Sequence, residues 1–306
     1  MRISIVGAGA MGSLFGALLA PVASVILVDL WQEHVDAINA HGLELTGLSG
    51  DRNVKVKATT DPAVAGQADL VIVFVKSHQT PWAAEIAARI LSPGGIALTL
   101  QNGLGNAEVV EAAVGRPRTC AGVTGNGATL LGPGRVRHAG KGPTHLGAND
   151  ETEGRVRAVA ELFGSAGIEA VVSFDLAGLI WGKLMANVGL NAITALARVQ
   201  TGMVNHIAPL GELADAAVRE AAAVVKAKGI DLPYLDPIAY VRGVANATAT
   251  NRTSMLQDVL RGVPTEVEVM NGAIVREGER LGIPTPVNAT LLALIRGIER
   301  AYKERV

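Results

Sequence analysis

The stretch RISIVGAGAMGSLFGALLA, residues 2–20, limits what this chain can fold into more sharply than any other. A short apolar strand runs into Gly7-Ala8-Gly9-Ala10-Met11-Gly12, and a helix-forming run follows at once. The pattern is G-x-G-x-x-G at a strand-to-helix turn. The first glycine permits the tight turn, the second lets backbone approach a pyrophosphate, and the third packs helix on strand, while the helix N-terminus attracts phosphate charge. Glycine turns also serve purely structural ends, so the loop needs a partner. Asp29 supplies it, ending the second apolar run SVILVDL twenty residues after Gly9, where a carboxylate bonds the adenine ribose hydroxyls. The loop and Asp29 together are expected to cradle a dinucleotide. A 2′-phosphate would sit against Asp29, and residues 30–34 (LWQEH) contain no lysine or arginine, so the local sequence favours NADH over NADPH. Arg52 is the distant cation that could fold back and cancel this preference.

Strand and helix patterns alternate through the first half. The helix WQEHVDAINAHG, the buried strand ADLVIVFVKS, the helix TPWAAEIAARIL and the strand GIALTLQNG follow in turn. Short strands TCAGVTG, RVRHAG and THLGA, a helix ETEGRVRAVAELFGSAG and a strand IEAVVSF complete it. Continuous apolar strands alternating with helices give a doubly wound, mostly parallel sheet. From Asp175 onward no strand pattern survives, and 175–196, 209–228, 234–250, 264–281 and 286–302 read as helices. The expected fold class is α/β: a Rossmann-type doubly wound domain over residues 1–173, then an all-α domain over 174–306. Clefts between domains are a preferred place for ligands.

Composition excludes several functions. Lys and Arg total 27 against 28 Asp and Glu, so no global field attracts nucleic acid or an anionic membrane. Aromatics at 3% leave few platforms for stacking bases along a strand. The single cysteine, Cys120, forms no internal disulfide and fits a reducing compartment, and the opening MRISIVGAG is a strand where an export signal needs a long apolar run. A cytoplasmic location is expected. Met11–Val28 is an uncharged run of eighteen residues, near the lower limit for a spanning helix, but Pro21 interrupts it and its end is β-branched. Helix, turn and strand explain it better than a membrane span. The six histidines lack metal-ligand spacing, so no metal is expected, and no arrangement suggests a covalent nucleophile.

The helix LIWGKLMANVGLNAIT, residues 179–194, poses a separate question. At about 100° per residue, Asn187, Asn191 and Thr194 fall about 40°, 80° and 20° from Lys183. One ammonium, two amides and a hydroxyl thus share a stripe on an otherwise apolar helix, although lysine is almost never fully buried without a partner. A satisfied polar seam between helices would explain the stripe as well as a ligand would. Lys76 and Asn102 follow the strands ADLVIVFVKS and GIALTLQNG at the carboxyl edge, where open α/β sheets bind ligands, although a surface lysine and an ordinary Asn-Gly turn are the plain alternatives. In TSMLQDVLRGVPTEVEVMNG, residues 253–272, Ser254, Asp258, Glu266 and Glu268 stand among apolar residues. Pro264 fits a helix's first turn, which would put Glu266 at a helix start, where a carboxylate is favoured even without function.

Taken in order, GAGAMGSLFG, VKSHQT, QNGLGN, WGKLMANVGLNAIT, NRTSMLQD and PTEVEVMNG make the chain resemble the ketopantoate reductases, relatives of the 6-phosphogluconate dehydrogenase-like two-domain reductases. The first segment is shared with many Rossmann enzymes, and the others together are specific. The resemblance spans nearly the whole chain and implies NAD(P)H-dependent reduction of 2-dehydropantoate to (R)-pantoate, a step of pantothenate and coenzyme A biosynthesis. It makes Lys183 the proton donor and Asn187, Asn191, Asn102 and Ser254 substrate contacts, with Asn102 also between nicotinamide and substrate. Lys76 and the Ala128 backbone become cofactor contacts, and Glu266 the acid that completes the site on the cofactor side. Two departures stand out. Relatives that use NADPH usually carry an arginine at the end of the second strand, where this chain has Asp29, and a further substrate asparagine of some members falls near Thr201.

On this reading the stripe faces a 2-oxo acid. Charge develops on the carbonyl oxygen as hydride arrives at C2, and an ammonium there stabilises it and donates the proton, typically worth ~10²–10⁴-fold in rate. Burial would lower the lysine pKa, and a nearby Glu266 would raise it. Asp29 keeps open an NADH-dependent reductase of another branched 2-oxo acid. A non-enzymatic NAD(H) sensor would need only the first domain and no proton donor. The sequence leaves the oligomeric state open, a homodimer being one form it allows.

Overall fold

The computed structural model describes residues 1–304. The apolar segment at the N-terminus forms β1 (Arg2–Val6), and the glycine turn opens α1 (Ala10–Leu19). Then come β2 (Ser24–Val28), α2 (Gln32–His41), β3 (Leu43–Gly47), β4 (Arg52–Val54), β5 (Lys57–Thr59), β6 (Ala68–Val73), α3 (Thr80–Ile90) and β7 (Leu91–Thr99). The unit is completed by α4 (Asn106–Val114), β8 (Thr119–Thr124), β9 (Gly127–Gly132), β10 (Arg135–Gly140), β11 (Thr144–Gly147), α5 (Glu153–Ser165) and β12 (Ala170–Ser173). Met11–Val28 is therefore helix, turn and strand.

Eight strands form the main sheet in the order β12-β11-β8-β7-β6-β1-β2-β5, with β11 antiparallel to β8 and the other pairs parallel. Side chains alternate across it. Ile3 and Ile5 of β1 with Leu70 and Ile72 of β6 join the core that holds Leu14, Phe15 and Leu27. Val6 with Val71 and Val73 packs on the opposite face with Ala84 and Ile86 of α3. Both faces are buried, which is why these strands read as continuous apolar runs. Chain order reverses between β1 and β6, which pair in register from Ile3↔Leu70 to Val6↔Val73. In such sheets the crevice at this switch point, beyond the strands' carboxyl ends, is where ligands bind.

A second sheet of four strands, β4-β3-β10-β9, is not expected from the sequence, where of these four only β10 reads as a strand; β10 runs parallel to β3 and the other pairs are antiparallel. Helix α4 is likewise not expected. The cause is local: β4 and β5 have three residues each, β9 is mostly half-exposed and bounded by glycines, and α4 starts from a left-handed glycine, Gly105 (φ 95°), rather than a polar cap.

The second compact unit comprises Asn102–Leu104 and the chain from Ala177 onward, and the first comprises Met1–Gln101 and Gly105–Leu176. The second unit is helical: α6 (Ala177–Ala197), α7 (Met203–His206), α8 (Ala208–Ala227), α9 (Pro237–Ala247), α10 (Ser254–Arg261), α11 (Asn271–Leu281) and α12 (Pro286–Arg300). Helix α6 lies at its centre, touching α8, α9, α10 and α12, and buries Leu184, Met185, Val188 and Ile193. Among the described residues α6 alone is long and apolar enough to cross a bilayer, but 72% of its apolar window is buried within the protein. The expected helix over 264–281 is corrected. Pro264 and Glu266 lie outside any α-helix, a short 3₁₀ turn spans Val267–Val269, and α11 begins only at Asn271. Thr265, Val267 and Val269 are β-branched, and Met270 has φ −108° and ψ −98°, which no continuous helix accommodates. The Val269 carbonyl instead accepts from Leu104 N at 3.0 Å.

Candidate active site

In the first unit the glycine loop shows three glycines used for three reasons. Gly7 has φ 97°, and a Cβ there would lie 2.5 Å from Val75 N, so both conformation and the neighbouring chain demand glycine. A Cβ on Gly12 would lie 1.8 Å from the Gly7 carbonyl oxygen, which explains close helix-to-loop packing. A Cβ on Gly9 would meet no protein atom within 4 Å. Gly9 is also the N-cap of α1 and offers no side chain to its first turn. Space above the loop together with uncapped helix amides suits a phosphate, so the residues present fit a bound dinucleotide.

Asp29 follows β2 directly. Its Oδ2 accepts from Ala8 N at 2.6 Å and its Oδ1 from Trp31 N at 2.9 Å, so it organises the loop as well as lining it. Arg52 donates to the Ser49 carbonyl. Lys76 lies three residues beyond β6 and caps the 3₁₀ turn Ser77–Gln79. Because Phe74 N donates to Val6 O at 2.8 Å, this segment leaves the sheet beside the glycine loop, at the switch point. Ala128 is on β9, paired with His138 of β10 and half-buried against the core that includes α1. Cys120 is buried, and burial pushes its thiol up to about 12, so it is no nucleophile.

A relay that sequence reasoning missed braces the loop. The fully buried His34 accepts from Gly134 N through Nδ1 at 3.0 Å, which leaves the proton on Nε2. Nε2 lies 3.1 Å from Ser13 Oγ, and Ser13 donates to the Ala8 carbonyl at 2.6 Å. Burial keeps His34 below its usual pKa, hence neutral. Only the i, i+3 spacing from Trp31 and the buried face of α2 hinted at it.

The second unit carries the remaining candidates, Asn102 included. Burial lowers Lys183 to about 8, and the Glu266 carboxylate opposes that shift. Glu266, 6% exposed, precedes the 3₁₀ turn that ends at Val269. One turn along α6, Asn187 Nδ2 is buried without a hydrogen-bond partner. A buried amide donor left open in this way has room for an acceptor from a bound molecule. Asn191 is buried and donates to Met270 Sδ at 3.4 Å. Thr194 departs from the stripe's expected role. Its hydroxyl contacts the Leu190 and Asn191 carbonyls and meets Thr253 Oγ1 at 2.8 Å, so it clamps α6 to α10. Thr253 also caps α10 through Leu256 N, which fixes Ser254 as that helix's first residue. Asn102 precedes Gly103, where a Cβ would lie 2.5 Å from the Val269 carbonyl oxygen, so this short loop is pinned to the segment bearing Glu266. Thr201 is buried and bonds the Asn251 carbonyl. Among the described residues no group of His, Cys, Asp or Glu could hold a metal ion.

Comparisons with known proteins agree along nearly the whole length. The family model described as ketopantoate reductase PanE/ApbA matches residues 3–151, and its C-terminal counterpart matches 175–299. The 2-dehydropantoate 2-reductase of Halobacterium salinarum is 39% identical, covering 98% of this chain and 99% of its own. That of Archaeoglobus fulgidus is also 39% identical, covering 97% and 98%. Among solved structures, a PanE/ApbA family ketopantoate reductase from Ralstonia eutropha is 35% identical with a TM-score of 0.91, covering 99% of this chain and all of its own. A D-mandelate dehydrogenase solved with NADH and anilino(oxo)acetate is 28% identical with a TM-score of 0.93 and the same coverage. The chain belongs to the ketopantoate reductase family.

Proposed function

We propose that this protein reduces 2-dehydropantoate to (R)-pantoate with a reduced nicotinamide dinucleotide, as a cytoplasmic enzyme. Residues 1–173 serve as the cofactor domain and 174–306 as the substrate domain. The observation that carries the reading is Lys183, desolvated to a pKa of about 8 beside Glu266 and followed on its helix by Asn187 with an open buried donor. A sensor needs none of these groups.

A reduced dinucleotide, when bound, would supply the hydride that C2 of the keto acid takes up. Gly7 to Gly12, Asp29, Lys76, Ala128, Asn102 and Glu266 are the residues that would hold it. Lys183 Nζ gives its proton to the C2 oxygen as negative charge develops there, and at neutral pH a group of pKa about 8 is still charged yet a good donor. Glu266 favours the charged ammonium before the reaction. Asn187 and Asn191 supply amides that bind substrate without adding charge, and Ser254 supplies a hydroxyl.

The cofactor preference follows from Asp29. Like charges ~4 Å apart repel by about 1–4 kcal/mol, and each 1.4 kcal/mol is a factor of about ten, so NADH should exceed NADPH by roughly ten-fold in kcat/KM. Arg52 is held by the Ser49 carbonyl, which supports this. Initial rates with 2-dehydropantoate and other branched or aromatic 2-oxo acids, each with both cofactors, test the assignment. The highest kcat/KM should belong to 2-dehydropantoate with NADH. Faster turnover of another 2-oxo acid refutes the substrate, and equal or better rates with NADPH refute the cofactor preference alone.

A further inference from the structure

Met270 sits where three pieces of the second unit meet. It follows the 3₁₀ turn Val267–Val269, whose last carbonyl accepts from Leu104 N at 3.0 Å, and it precedes α11. It is fully buried in the core that contains Leu184, Met185 and Val188 of α6. The next residue, Asn271, reaches the Val188 carbonyl at 3.4 Å, so this segment is tied to α6 as well as packed on it. Within that frame Met270 Sδ accepts from Asn191 Nδ2 at 3.4 Å, and no other hydrogen bond engages the Asn191 side chain among the described residues. A thioether can accept a hydrogen bond but has no proton to give. An amide facing it therefore presents nitrogen, since the carbonyl oxygen would set lone pairs against lone pairs. An aliphatic side chain of similar bulk would fill the same space and leave the amide able to turn over.

We propose that Met270 is a positioning residue: its sulfur holds the Asn191 amide by the nitrogen, so that Asn191 offers the substrate an acceptor rather than a donor. The inference rests on the reading of the protein as a 2-dehydropantoate reductase with Asn191 against the substrate, and it deepens that reading. The carboxylate and ketone of 2-dehydropantoate only accept hydrogen bonds, and its C4 hydroxyl is the one donor. Asn191 Oδ1 therefore pairs with that hydroxyl, and Met270 acts on substrate choice through Asn191.

The comparison substrate is 3,3-dimethyl-2-oxobutanoate, the same keto acid without the hydroxyl. kcat/KM for both acids is measured in the wild type, in Met270→Leu and Met270→Ile, and in Asn191→Ala with and without Met270→Leu. The wild type should favour the hydroxylated acid. Either substitution of Met270 should lower that preference by about 3- to 10-fold, with the loss confined to the hydroxylated acid. Exchange of methionine for leucine nearly conserves volume, and thermal midpoints verify that each variant is folded. In Asn191→Ala, adding Met270→Leu should leave the preference as it is, because no amide remains to be oriented. An unchanged preference in Met270→Leu and Met270→Ile, an equal loss on both acids, or the same fall without the Asn191 amide each overturn the proposal. A wild type that reduces both acids equally overturns the hydroxyl pairing and leaves the reductase reading standing. A wild type that reduces neither refutes the reductase reading, and the proposal falls with it.

Discussion

Gly9 and Gly12 differ by three positions and by everything that surrounds them. Alanine at Gly12 drives a methyl into the Gly7 carbonyl, whereas alanine at Gly9 meets only open space. Gly12→Ala is therefore expected to lower the thermal midpoint by several degrees, while Gly9→Ala keeps the wild-type midpoint and loses affinity for the dinucleotide, readable by thermal shift and NADH titration. At Lys183 the relevant quantity is charge. Its pKa falls from the ordinary 10.5 to about 8, so on the proposed mechanism the donor proton is present below pH ~8 and lost above it. kcat/KM for reduction should be flat on the acid side of pH 8 and fall tenfold per unit well above it. Glu266 steepens the consequence of its own removal: Glu266→Gln should move the alkaline limb to lower pH, because the carboxylate raises the lysine pKa.

At the level of elements, α6 is held by groups that never reach the stripe. Asn288, fully buried in α12, donates to the Ala217 carbonyl at 3.0 Å and to Glu220 at 2.8 Å, and accepts from Asn271 at 3.0 Å. Asn271 reaches on to the Val188 carbonyl of α6, next to Asn187, at 3.4 Å. Asn288→Ala leaves Glu220 and Asn271 partly unsatisfied and should cost about 1–3 kcal/mol, measured as a lower denaturant midpoint. The stripe on α6, by contrast, is legible in the sequence, because helical periodicity alone aligns Lys183, Asn187 and Asn191. So are the β1-turn-α1 unit and the alternation of buried strands. What escaped was short or locally contradictory. The strands β3 to β5 are too brief to show period, and α10 has eight residues and is fixed by one threonine cap. The segment from Pro264 to Met270 looked helical by composition, yet its β-branched residues and the pairing of Val269 with Leu104 make it a turn. Thr194 shared the stripe by angle and was diverted by Thr253, a partner fifty-nine residues away that no periodicity reveals.

For the molecule as a whole, acidity works against the fold from within the first unit. Burial lowers the pKa of both His34 and His138 from 6.5. The unfolded chain then binds more protons than the folded one below pH 6.5, so stability is fully present above that value and falls as acid titrates through the folded pKa values. His34 is the sharper case, since a proton on Nδ1 would oppose the Gly134 N–H. Denaturant midpoints should decline from pH 6.5 toward 5, and His34→Gln should flatten part of that decline.

A 306-residue chain that matches reductases from end to end still performs its reaction, on this account, through one ammonium. Single-turnover reduction of 2-dehydropantoate by Lys183→Ala, with NADH affinity measured alongside, tests that most directly. The hydride-transfer rate should fall by at least ~10²-fold with NADH affinity within a factor of about two of the wild type. Near-normal turnover by the variant would contradict the assignment of Lys183 as proton donor.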